Sequence, residues 1–361
     1  MSAPHQIAVL NGDGVGPEVT RATTEVLLRV AEATGLSLEL NPGDVGWIPY
    51  RAVGSTLPDS TQEVLERCTG WIMGPTAAGD YPKDDPVKGH PSGFLRRHYE
   101  LFGNVRPVHA WPQLPALVPE LDTTIIRENT EGFYPDRNLH WGYGEFMPTA
   151  DVAISLRVIT KRACDRLARL SFEYAKGKDQ KSLVVVHKRT ALPQTDGLFI
   201  AAFEEIKDEF PDVAVEYMRI DTFSSLLAKE PERFGLVATT NLFGDIMSDQ
   251  ASGLVGGVGL APSVNIGAEH VMAQAVHGTA EDIAGKNIVN PAPLMLSTAL
   301  MLGRLGQMTG DSACTVAAKT LEDAVAAALS SGRVTGDLGG TATTEDFTAE
   351  VLSSISPVGV R

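Results

Sequence analysis

The feature that most constrains this chain is an alternation along most of its length, in which short apolar runs of strand character give way to longer stretches with helical spacing. Gln6 to Leu10 meets a glycine-rich turn, and Val15 to Ala33 then places apolar residues at Val19, Val26, Leu27 and Val30. The same reading predicts strands at Trp71 to Met73, Thr123 to Ile126, Leu183 to His187, Val213 to Ile220 and Leu236 to Thr239. It predicts helices at Phe94 to Phe102, Lys161 to Lys176 and Leu198 to Phe210. An α/β protein is expected. After Thr298 the chain becomes alanine- and leucine-rich with helical period, as in Thr315 to Leu329, and predicts covering helices. The 361 residues suffice for two lobes, and no low-complexity linker separates them, so crossing strands are expected to join them. Tyr134 to Thr149 breaks the pattern, being rich in Gly, Pro and aromatics (Trp141, Tyr143, Phe146) without a period. It reads as an arm or hairpin that pairs with another subunit.

Charge and cysteine usage narrow the partners. The chain carries 45 Asp plus Glu against 30 Lys plus Arg, a formal charge of -15, which argues against nucleic acid. Its three cysteines, Cys68, Cys164 and Cys314, are odd in number and scattered, so neither a disulfide framework nor a zinc site is suggested, and a reducing cytoplasm is the expected location. The N-terminus lacks the regions of a signal peptide, and no apolar run approaches the roughly eighteen residues of a membrane span, so no membrane partner is expected.

Several clusters could carry chemistry. Asn11-Gly12-Asp13-Gly14-Val15-Gly16-Pro17-Glu18 invites a nucleotide-loop reading, but its spacing is G-x-G-x-G and no Lys-Ser/Thr accompanies it, so a plain tight turn is equally open. On a helix, Asp245 and Asp249 of Asn241 to Asp249 stand at i and i+4 with both carboxylates on one face. Oxygen ligands there would suit Mg²⁺ or Mn²⁺, with Asp221 as a possible third; alternatively Asp245 caps the helix and Asp249 is solvated. Arg96, Arg106 and Arg127 lie near apolar structure, and converging guanidinium forks would suit a substrate with two or three carboxylates, although single arginines usually serve surface ion pairs. Lys188 ends an apolar strand, where it could act as base or cation or simply be exposed. Tyr134, after Asn129 to Phe133, could donate a proton or only pack. The small-residue loop His277 to Lys286 would let a planar ligand approach the backbone, with Asp282 able to accept ribose hydroxyls.

In this order and spacing, the segments resemble the β-decarboxylating dehydrogenases, the isocitrate and isopropylmalate dehydrogenase family that includes homoisocitrate and tartrate or D-malate enzymes. The resemblance runs from Asn11 to about Arg304. Its specific parts are Gly12 to Glu18, Leu95-Arg96 with Leu101 to Pro107, Arg127 to Gly132, Asn241 to Asp249, and His277 to Lys286.

The resemblance implies an isocitrate/isopropylmalate dehydrogenase-like α/β fold, not a Rossmann fold, with two lobes around a central cleft. Residues 1–101 with 251–361 would form a large cofactor-binding domain. Residues 102–250 would form a small substrate, metal and dimerisation domain with an arm near 134–150. It implies NAD- and metal-dependent oxidative decarboxylation of a 2-hydroxy acid by a homodimer with shared active sites. Arg96, Arg106 and Arg127 would grip carboxylates, and Asp245 and Asp249 would hold Mg²⁺ or Mn²⁺, completed by Asp221 of the neighbouring subunit. Lys188, also lent across the interface, would help remove the C2 hydroxyl proton, and Tyr134 would protonate C3. His277, Gly278, Thr279, Ala280, Asp282, Ile283 and Asn290 would hold the adenosine half of NAD, since Asp282-Ile283 stand where NADP-using relatives tend to carry Lys-Tyr.

One departure is Lys188-Arg189-Thr190, where the family usually has Lys-x-Asn, so Thr190 offers only a hydroxyl beside the substrate. In the family that the chain resembles, the turn before Arg96 senses the C3 substituent; here it offers His90, Ser92 and Gly93, which implies a compact polar one, isocitrate first, malate or tartrate second. Isopropylmalate and homoisocitrate are the alternatives, followed by a non-catalytic subunit of the same fold. A phosphotransferase using the two aspartates is weaker, because no lysine accompanies the glycine turn.

Overall fold

The computed structural model describes residues 3–82, 84–87, 90–134, 136 and 142–356. Trp141 of the expected arm lies outside them. The strands are β1 (His5–Leu10), β2 (Leu38–Gly43), β3 (Gly70–Met73), β4 (Gly103–His109), β5 (Asp122–Glu128), β6 (Glu145–Thr149), β7 (Val152–Ser155), β8 (Ser182–His187), β9 (Ala214–Arg219), β10 (Leu236–Thr239), β11 (Val264–Ile266) and β12 (Val271–Gln274). The chain divides into two compact units, one of residues 1–94, 111–115 and 256–361, the other of residues 95–110 and 116–255.

In the first unit the strands run in the order β2-β1-β3-β12-β11, all parallel except β11 against β12. Helices Ala292–Thr309 and Ser312–Ser330 pack on one another, and the former covers β3 and β12. In the second unit the order is β4-β5-β10-β8-β9, with β4 antiparallel to β5 and the rest parallel. Its core gathers Ile125, Val184, Val186, Phe223, Phe234, Val237 and Met247, apolar residues of strands and helices that leave water together. The register aligns Arg127 with Thr239, Thr239 with Val186, and Val186 with Met218, so the parallel strands end at one edge. In open α/β sheets such a carboxyl edge is where ligands bind.

Some boundaries differ from the sequence expectation. The helix expected over Phe94 to Phe102 is Pro91–His98, because Pro91 is suited to a first turn and Glu100 sits at φ 48° beyond its end. The one expected over Leu198 to Phe210 is Thr195–Ile206, followed by a tight turn at Lys207–Glu209. The irregular segment yields a hairpin, β6 with β7, that extends to Ser155, past the expected end. Phe146 faces Ile154 across it, and Phe146, Met147, Val152 and Ile154 are all exposed. Among the described residues no helix is long and apolar enough to cross a membrane.

Candidate active site

Two strands and one helix build the centre of the second unit. Arg106 on β4 and Arg127 on β5 are both buried, and helix Asn241–Leu254 follows β10 directly. Asp245 lies in that helix's second turn, with Thr240 at the N-cap position, so the alternative that Asp245 caps the helix does not hold. Close approach of helix and strand depends on Gly244. A Cβ there would lie 2.7 Å from Arg127 Cβ and Cγ and 3.2 Å from its Cα.

The arginines converge on Asp245. Arg127 donates through Nη1 to Asp245 Oδ1, through Nε to Asn241 Oδ1 at 2.8 Å, and through Nη2 to Tyr134 Oη at 2.7 Å. Arg106 Nη2 lies 3.2 Å from Asp245 Oδ1, while its Nη1 donates to Ser248 Oγ at 2.7 Å and lies 3.4 Å from Asp249 Oδ1. Tyr134 Oη donates to Asp245 Oδ2 at 2.8 Å. Burial opposes the Asp245 charge, but the guanidinium charges of Arg127 and Arg106, the Tyr134 hydrogen bond and the Arg96 charge outweigh it and hold the carboxyl below the usual range. Asp249 goes the other way. Burial pushes it up, Arg106 pulls it down, and the Asp245 charge adds to the rise. Two carboxylates at i and i+4, one destabilised in its charged form, are a hard oxygen donor set that fits a divalent cation.

Lys188 and Asp221 form a second cluster, at the ends of β8 and β9, with Lys188 Nζ donating to Asp221 Oδ1 at 2.7 Å. The Lys188 bond leads the causes that lower the Asp221 pKa. The Lys188 backbone amide donates to Asp196, itself paired with Arg157 at 2.6 Å. Within one chain, among the described residues, no hydrogen bond or ion pair links Lys188 or Asp221 to Asp245 or Asp249. The three aspartates expected around a metal thus do not meet inside a single chain; among the described residues, the one triad of potential ligands within 4.8 Å is His5, Asp311 and Cys314. Thr190 is exposed.

In the first unit, Ser92 Oγ donates to Gln274 Oε1 at 3.1 Å, and His90 is half-buried just before the same helix. In the loop after β12, Gly278, Ala280 and Asp282 are exposed and Thr279 and Ile283 half-buried. His277 donates from Nδ1 to Gly278 O at 3.0 Å, and its Nε2 is buried without a partner among the described residues. Burial leads the causes that lower its pKa and so disfavours the charged ring, and the orphaned nitrogen can pair with a bound cofactor. Asn290 is buried, its amide donating to Gly259 O at 2.9 Å and to Asp337 at 3.2 Å. Three amides of the glycine turn are already engaged and are not free for a phosphate. Its Asp13, Val15 and Gly16 amides already donate to the carbonyls of Pro75, Thr279 and Asp13.

Sequence reasoning missed the residues that hold these groups. Asn104 accepts from Arg106 Nε at 2.6 Å, and as an i, i+2 neighbour on β4 it shares a face with Arg106, a signal that was available. Asn241 also donates to Glu131 O at 2.8 Å, and the Arg157–Asp196 pair lies under Lys188; neither follows from local pattern.

Carboxylates, arginines and a tyrosine at the carboxyl edge of a parallel sheet are the equipment of an enzyme that handles small acids. Comparison with known proteins gives the family. The chain belongs to the isocitrate/isopropylmalate dehydrogenases, whose family model matches residues 6–351. It is 41% identical over 351 residues to an isocitrate/homoisocitrate dehydrogenase of Thermus thermophilus, covering 97% of this chain and 98% of that one. It is 38% identical to the 3-isopropylmalate dehydrogenase of Methanothermobacter thermautotrophicus, covering 96% and 97%. The crystal structure of isocitrate dehydrogenase from Methylococcus capsulatus superposes with a TM-score of 0.84 at 31% identity, covering 97% of this chain and 99% of that one. The fold is therefore the one the sequence resemblance implied, and the protein is an oxidoreductase of a family of β-decarboxylating hydroxyacid dehydrogenases that depend on NAD(P) and a divalent metal.

Proposed function

We propose that this enzyme oxidises and decarboxylates a 2-hydroxy di- or tricarboxylic acid with a compact polar C3 substituent, isocitrate first and a malate or tartrate type second, using NAD and Mg²⁺ or Mn²⁺. The observation that carries the substrate reading is the Ser92 hydroxyl, held by Gln274 at 3.1 Å in the first turn of its helix, where an apolar side chain would suit an isopropyl group. The long carboxylate arm of homoisocitrate would want a cation there, but the Arg97 guanidinium donates to the backbone carbonyl of Asp136 instead. Relatives named for isocitrate and for isopropylmalate both match this chain, so a panel of 2-hydroxy acids decides. Isopropylmalate giving the highest kcat/KM would overturn the substrate reading.

In this reading Arg96, Arg106 and Arg127 hold the substrate carboxylates, and Asp245 and Asp249 hold the metal with Asp221 of a neighbouring copy. When bound, the metal would supply Lewis acidity toward the substrate oxygens, and NAD would accept the two electrons. Lys188, lent by the neighbouring copy beside its own Asp221, takes part in removing the proton of the C2 hydroxyl. Tyr134 gives its proton to C3 once the β-carboxylate has left as CO₂. His277 and the small residues after it hold the adenosine half of the cofactor, and Asp282 accepts the ribose 2′-hydroxyl and repels a 2′-phosphate. The NAD-to-NADP ratio of kcat/KM is expected to exceed about 10². The exposed apolar hairpin β6–β7 supports a homodimer with shared sites.

A further inference from the structure

We propose that Glu18 is a positioning residue for the cofactor, acting through the 277–287 loop, and that the glycine turn preceding it is the template on which this loop is set. The inference rests on the reading that this loop holds the cofactor. Glu18 lies in the first turn of helix Gly16–Thr34, and its two carboxylate oxygens accept from two loop amides: Oε2 from Gly285 N at 2.7 Å and Oε1 from Asn287 N at 2.9 Å. The other end of the loop is fixed by the same turn, where Val15 N donates to Thr279 O at 2.9 Å. Gly14 makes that approach possible, since a Cβ there would lie 2.1 Å from Thr279 O.

Between these anchors the loop takes a shape it would not hold alone. Ala280 has φ 40°, Gly285 φ 73° and Asn287 φ 58°, all left-handed; glycine and asparagine tolerate this conformation, but for Ala280 it is disfavoured. A carboxylate that accepts two backbone amides at once offsets that cost and fixes the spacing of the loop's end. The loop is thereby set before the cofactor arrives, so binding loses less conformational entropy. No other residue type reproduces this. A glutamine at position 18 has one acceptor oxygen and would turn an N–H toward the second amide, and an aspartate is one methylene short.

The test combines hydrogen exchange and cofactor binding on the full-length cofactor-free protein, with NADH as the probe. In Glu18→Gln and Glu18→Ala, a peptide spanning Gly285 to Asn287 is expected to lose exchange protection, and the Kd for NADH by fluorescence to rise about tenfold, Ala more than Gln. The KM for the 2-hydroxy acid, and kcat at saturating NAD, should stay within about twofold, with protection of strands β8 and β10 unchanged as the check on folding. Unchanged protection of the peptide would overturn the clamp, and lost protection with unchanged NADH affinity would overturn its role toward the cofactor. A parallel Asp282→Lys variant separates this from the reading beneath it. If that change leaves both NADH and NADPH affinity untouched, the loop is not the cofactor site and the positioning role falls with it, while the exchange data still decide the clamp.

Discussion

Tyr134 and Asp245 share a hydrogen bond of 2.8 Å, Oη donating to Oδ2, while Arg127 donates to both of them. The phenol thus turns its hydrogen toward Asp245, among the residues that would grip the substrate. Tyr134→Phe removes the proton and keeps the ring. Its kcat is expected to fall about 10²- to 10⁴-fold with little change in melting temperature. Wild-type turnover in the variant would exclude Tyr134 as the acid.

The two helix aspartates should separate in their effects on stability. Asp245→Asn leaves Arg106 and Arg127 buried without their countercharge and should cost about 1–3 kcal/mol, less than a fully buried pair because the carboxylate is 39% exposed. Asp249→Asn removes a carboxylate repelled by Asp245 and should leave denaturant stability almost unchanged. Both should lower kcat at least about 10²-fold, and wild-type activity should vanish in EDTA. Full activity after verified metal removal would end the metal assignment.

Gly244→Ala tests how the catalytic helix sits on β5. With Arg127 atoms at 2.7 Å from the new Cβ, the helix must shift, at about 1–3 kcal/mol by urea denaturation and with activity lost through displaced Asp245. An alanine tolerated without loss of either would show that the two elements are not packed this closely in solution.

Glu131 is buried, and this together with the nearby Glu128 charge lifts its pKa to about 7 against hydrogen bonds from Thr160. A raised carboxylate pKa favours folding fully only below the unfolded value near 4.5, and that contribution is lost as pH rises toward 7. Glu131→Gln has no such proton. Its stability relative to wild type should therefore increase between about pH 4.5 and 7, by at most about 3 kcal/mol, and level off above. A flat difference across that window would contradict the raised pKa.

Shared sites predict complementation. Mixing inactive Lys188→Ala chains with inactive Tyr134→Phe chains should restore activity, up to about a quarter of wild type, because one site per heterodimer then carries both residues. No recovery after confirmed subunit exchange would place Lys188 and Tyr134 in the service of one chain.

Much of this was legible in the sequence, for identifiable reasons. Strands such as Leu183 to His187 and Leu236 to Thr239 announce themselves because both faces are buried, so their apolar runs are continuous. Asp245 and Asp249 stand out through their i, i+4 spacing and Arg106 and Arg127 through their place beside apolar runs, and the structure brings both arginines to Asp245. Glu18 was not assigned its clamp, because its partner Asn287 is 269 residues away and no local pattern encodes that distance. Gly244 sat inside a recognised motif, yet its purpose is visible only once Arg127 lies beneath it.

The hairpin β6–β7 has a kinetic consequence. Two strands whose apolar side chains all face water have little to hold them folded in isolation. In the proposed homodimer their order comes from a second chain, so the last step of refolding is a collision rather than a rearrangement. Activity regained after dilution from denaturant should then appear with a rate that scales with protein concentration, lagging behind the recovery of secondary structure.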